Sequence, residues 1–75
     1  MNPPVRDLIS GYRAQIAEHR EHTRRIRQGI RAMKEKRTGQ RDLIGILRAN
    51  SELNERLRAI RDCEAQIAHL RGTQP

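Results

Sequence analysis

The sequence predicts an all-α fold: an antiparallel hairpin of two long helices that pairs with a second copy into a four-helix bundle. Three observations lead there. Apolar residues recur at alternating steps of three and four along both halves of the chain. Near the middle, Gly39 is preceded by basic residues and followed by an aspartate, the pattern of one helix ending and another starting. At 75 residues, 35 % of them apolar, the chain is one domain at most, and one pair of helices that size buries too little to stand alone comfortably.

Asn2 can cap a helix whose first turn holds Pro3 and Pro4, because the earliest helical positions have no internal partner for an N–H. From that start Val5, Ile9, Tyr12, Ile16, His19, Thr23, Ile26, Ile30 and Met33 form an unbroken heptad seam. Helix one is expected over about residues 3–37. The segment Lys36-Arg37-Thr38-Gly39-Gln40-Arg41-Asp42 has basic residues suited to a last helical turn, a C-terminal glycine and a capping aspartate, so a turn is expected at about 38–41.

Helix two follows over about 42–71, with a frayed tail at about 72–75. Its expected apolar side holds Leu43, Ile46, Leu47, Asn50, Leu53, Leu57, Ile60, Cys63, Ile67 and Leu70. Gly45 and the cap-like run Asn50-Ser51-Glu52 mark where this helix could break. Leu47, Leu53 and Leu57 keep one side across that point, so two long helices are the expectation. A turn near Gly39 sets opposite each other residues whose numbers sum to about 77. Ile30 then meets Leu47, Ile16 meets Ile60, and Thr23 meets Asn54 in a polar layer that could fix register.

Each helix carries more apolar width than one partner covers: Leu8 lies beside Ile9, and Ile44 and Leu47 lie beside Leu43 and Ile46. A homodimer is therefore expected, with a bundle core drawn from Ile9, Tyr12, Ile16, Ile26, Ile30, Leu47, Leu53, Leu57, Ile60 and Ile67. The competing reading leaves the excess stripe to a different protein.

The net charge of +7 is uneven. Residues 1–38 hold ten Lys/Arg against four Asp/Glu, and residues 39–75 hold six against five. Arg6, Arg13, Arg20, Arg27 and Lys34 repeat every seven residues beside the apolar seam, a stripe of about 42 Å, and Arg24 and Arg31 widen it. Arg20 with Arg24 and Arg27 with Arg31 are like-charge neighbours that weaken an isolated helix; an acidic partner would relieve them. That partner could be an acidic protein surface or a phosphate backbone. The plainer alternative is a solvated flank answered by Glu52, Glu55, Asp62 and Glu64. Glu21 with Arg25, and Glu52 with Arg56, are the well-placed helical ion pairs.

Other chemistry finds little support. His19 and His22 share one helical side, but the antiparallel register keeps them from Cys63 and His69, so no metal is expected. His19 is expected to pack on the seam, and Cys63 to be a packing residue in a reducing compartment. The glycines are isolated, no nucleophile and base are brought together, and two helices enclose no ligand cavity. No catalytic residue, cofactor or small-molecule substrate is therefore expected. No run approaches the roughly 20 apolar residues of a membrane span, and a cytoplasmic protein is expected. The single aromatic residue, Tyr12, offers no series of stacking platforms for bases.

The architecture, though no sequence motif, resembles the RNA-binding hairpin dimers of the Rop type; such a likeness implies a basic bundle contacting phosphates. The favoured expectation is a small non-enzymatic regulatory or adaptor protein that binds an acidic protein and inhibits it by masking a surface. The alternatives are a nucleic-acid-binding bundle and a structural coiled-coil segment.

Overall fold

The structure, a computed structural model, describes residues 4–35 and 43–72. Over these the chain is an all-α hairpin of α1, Val5–Glu35, and α2, Leu43–Gly72, packed against each other. The expected turn at 38–41, the caps at Asn2 and Asp42 and most of the tail lie outside the described residues. The carbonyl of Pro4 accepts the first turn's bonds from the N–H groups of Asp7 (2.9 Å) and Leu8 (3.2 Å), so α1 starts behind a proline that lacks a donor of its own. Asp7 in the first turn and Lys34 in the last both suit the helix dipole.

Every residue of the expected α1 seam turns inward. Ile9, Ile16, Thr23 and Ile30 are buried, and Val5, Tyr12, His19, Ile26 and Met33 are half-buried. On α2 the inner seam is corrected. It runs Ile46, Ala49, Leu53, Arg56, Ile60, Cys63, Ile67 and Leu70, a strict alternation of three and four in which every residue is buried or half-buried. Leu43, Leu47 and Asn50 are exposed, the two leucines by 63 and 68 %. They belong, with Leu57, to a neighbouring stripe about 100° around the helix. One stripe alone can face α1, and the one carrying Ile46, Leu53, Ile60, Cys63, Ile67 and Leu70 has more to bury.

The register follows the expected one closely. Ile9, Ile16, Ile60, Cys63 and Ile67 form one buried cluster, with Val5, Tyr12 and Leu70 packed on it. Where Ile30 was expected to meet Leu47, Ile30 and Ile46 are buried and Leu47 is exposed. The Thr23–Asn54 polar layer does not form: Asn54 is exposed, and the Thr23 hydroxyl donates instead to the Arg20 carbonyl of its own helix at 2.7 Å. Gly45 and Asn50 do not interrupt α2, which is helical throughout.

The result is a rod of 60 × 18 × 14 Å with a radius of gyration of 17.3 Å, against about 11 Å for a compact domain of this length. Its accessible surface is 6340 Å², whereas a compact monomer of the same mass exposes about 4700 Å². Among the described residues no large side chain is completely buried, and Leu8, Leu43, Ile44 and Leu47 are exposed. No described helix is long and apolar enough to cross a membrane.

Candidate functional site

On a heptad helix, residues three before each buried seam position flank the seam on one side. Arg6, Arg13, Arg20 and Arg27 occupy those places beside Ile9, Ile16, Thr23 and Ile30, and Lys34 continues the row; all five are exposed. Arg24 and Arg31 lie one position after the seam on the same side, also exposed. Across the hairpin, Leu57, Glu64 and Arg71 follow the α2 seam residues Leu53, Ile60 and Ile67 by four, so they form the opposite rim.

Between the rims runs an open groove in three adjoining sections. The first is lined by Arg6, Ile9, Ser10, Arg13 and Arg71. The second, sharing Arg13 and Arg71, adds Ile16, Ala17, Arg20, Glu64, Ile67 and Ala68. The third, sharing Arg20, adds Thr23, Arg24, Arg27, Gln28, Arg31, Leu57 and Ile60. Isoleucines thus floor the groove, while seven arginines and one carboxylate, that of Glu64, line it.

The charge is largely unanswered within the hairpin. Arg20 reaches Glu64 at 3.7 Å, both side chains more than half exposed, a pair of little energetic weight. Arg24 folds back on its own helix, its Nη2 donating to Glu21 Oε1 at 2.7 Å and its Nε to Oε2 at 3.1 Å. Arg25 Nε joins the same carboxylate at 3.3 Å. The Arg24 fork, aided by Arg25, holds the Glu21 carboxyl below its ordinary range, and Glu21 in turn raises Arg24. Among the described residues Arg6, Arg13, Arg27, Arg31 and Lys34 make no ion pair. Of the four acids weighed as answering the stripe, Glu64 alone does so. Helical periodicity turns Glu52, Glu55 and Asp62 to the side of α2 away from the groove.

The far side of the hairpin is different in kind. Arg56 leaves Glu52, its expected partner, and donates across the interface to His19 Nδ1 at 3.0 Å. A guanidinium can only donate, so Nδ1 is the accepting nitrogen and the ring proton sits on Nε2. Cys63, buried and free, directs its thiol toward Gln15 Oε1 at 3.7 Å. Tyr12 lines a shallow groove there with Asp7, Leu8, Gly11 and Gln15. The one aromatic ring is thus on the side opposite the arginines. Among the described residues no group of three or more His, Cys, Asp or Glu is placed to hold a metal ion.

Of the expected bundle-core residues, Ile9, Ile16, Ile30, Ile60 and Ile67 are buried, Tyr12, Ile26, Leu53 and Leu57 are half-buried, and Leu47 is exposed. Arg71 is the groove arginine that the sequence reading missed. Its signal was the antiparallel register, which places residues summing to about 84 on facing rims and so sets Arg71 across from Arg13. Compared with protein-family models, curated proteins and solved structures, the chain matches none.

Proposed function

We propose that this chain is a small, non-enzymatic regulatory or adaptor protein that self-associates and inhibits another protein by masking an acidic surface. The observation that carries the reading is the groove: seven arginines over an apolar floor, with one carboxylate among them. Arginine forks engage carboxylates bidentately, and an apolar floor contributes only when a partner brings apolar surface to it. A phosphate backbone brings none. The surface excess of the rod, and the exposed Leu8, Leu43, Ile44 and Leu47, support self-association.

The same arginines would also suit phosphates, which keeps a nucleic-acid-binding bundle as the second reading. Affinity capture from lysate, with and without nuclease, separates the two. The expected result is a discrete protein that survives nuclease, is retained by the wild-type chain and is lost by the Arg20→Glu/Arg27→Glu variant at unchanged helicity. Capture that disappears with nuclease, or a protein that binds the double variant equally well, would overturn the masking reading.

A further inference from the structure

The groove's own dimensions bear on what shape of acidic partner it takes. Arg6, Arg13, Arg20 and Arg27 repeat every seven residues along α1, an axial step of about 10.5 Å. An extended strand presents same-side residues every ~6.6 Å and would fall out of step within two contacts. It would also lay unsatisfied backbone N–H and C=O groups over the floor of Ile9, Ile16, Ile60 and Ile67. A helix has the matching heptad repeat and satisfies its backbone internally.

We propose that the groove is the docking site for one amphipathic α-helix of a partner protein, acidic along one flank, which lies between α1 and α2 as a third helix. This rests on the masking reading above and names its partner's form. The occupant's apolar seam meets the isoleucine floor. Its acidic flank faces the α1 rim, and its other flank faces the α2 rim, where Leu57 stands. From Arg6 to Arg31 the site spans about 37 Å, enough for about 25 helical residues.

The test uses the 75-residue chain and labelled synthetic helices of about 28 residues, four heptads, with leucine on the seam and glutamate on the flanks, or with lysine replacing glutamate in one terminal heptad, read by fluorescence anisotropy. The glutamate helix is expected to bind the wild-type chain and to lose at least about tenfold in affinity with Arg27→Glu/Arg31→Glu, about 1.4 kcal/mol. The helix with lysine only in the terminal heptad that meets residues 27 and 31 is expected to bind that variant more tightly than it binds the wild type, a rescue that a merely unfolded variant cannot give. Binding of the glutamate helix is expected to persist at about 1 M salt, where a purely ionic contact is screened. Failure of the glutamate helix to bind, absence of the rescue, or equal competition by duplex RNA would overturn the proposal. If the helix fails while an arginine-dependent, nuclease-resistant protein is still captured, masking stands and the third helix falls; if both fail, both readings fall.

Discussion

At the scale of single residues, Thr23 and Glu21 illustrate how a polar group's partner decides its meaning. Thr23 is buried at mid-hairpin, where a cross-helix bond would have made it a register device. Its hydroxyl bonds the Arg20 carbonyl instead, so it contributes packing and a satisfied donor, not specificity. Thr23→Val is therefore expected to leave oligomeric state unchanged and to alter stability by no more than about 1 kcal/mol; a change of mass in sedimentation equilibrium would restore the register role. Glu21 gathers Arg24 and Arg25, which lowers its carboxyl from the ordinary value of 4.5. A depressed folded value means the contribution is complete above the ordinary value and is lost as pH falls through the lowered one. Thermal melts across that acid range are expected to show a shallower acid decline for Glu21→Gln than for the parent. Because the Glu21 side chain is 43 % exposed and its partners Arg24 and Arg25 more so, solvent screens the pairing and the effect is small.

At the scale of the helices, α1 and α2 face the same demand with different resources. On α1 one stripe is apolar and its neighbour is cationic, so the helix has one way to turn inward. On α2 two adjoining stripes carry aliphatic residues, and burial of the richer one leaves Leu43 and Leu47 in water. Both helices also contain glycine, which destabilises a helix interior. At Gly11 and Gly29 an added Cβ would meet nothing within 4 Å. Gly11→Ala/Gly29→Ala is expected to stabilise the hairpin by about 1 to 2 kcal/mol in total, seen as a rise of several degrees in the melting midpoint by circular dichroism. Loss of self-association in that variant would instead identify the glycine-bearing side as a contact between copies.

At the scale of the whole molecule, the hairpin is electrically two-sided. The groove side carries seven arginines and Glu64, while Glu18, Glu52, Glu55 and Asp62 lie toward the other side or the back. Two copies meeting groove to groove would oppose these cations, which costs energy unless salt screens them. Self-association is accordingly expected to leave the groove open and to vary little between about 0.1 and 1 M salt, as followed by sedimentation equilibrium. A dimer that forms only at high salt would place the arginine faces against each other and close the proposed docking site.

Much of this was legible from residue order. The heptad seam of α1, the cationic row beside it and the antiparallel register follow from spacings of three, four and seven, because an α-helix converts sequence separation directly into angle and height. The helix count follows from the same arithmetic, while residue order left open whether Glu52, Glu55, Asp62 and Glu64 answer the stripe. What residue order left open was the phase of α2, since Leu47 and Ile46 are equally apolar and only competition for one facing helix separates them. Also left to the tertiary structure were the contacts that depend on side-chain reach across the interface: Arg56 choosing His19 over Glu52, Thr23 turning to its own helix, and Arg71 closing the groove opposite Arg13. A helix fixes where each side chain begins, and the second helix decides where it ends.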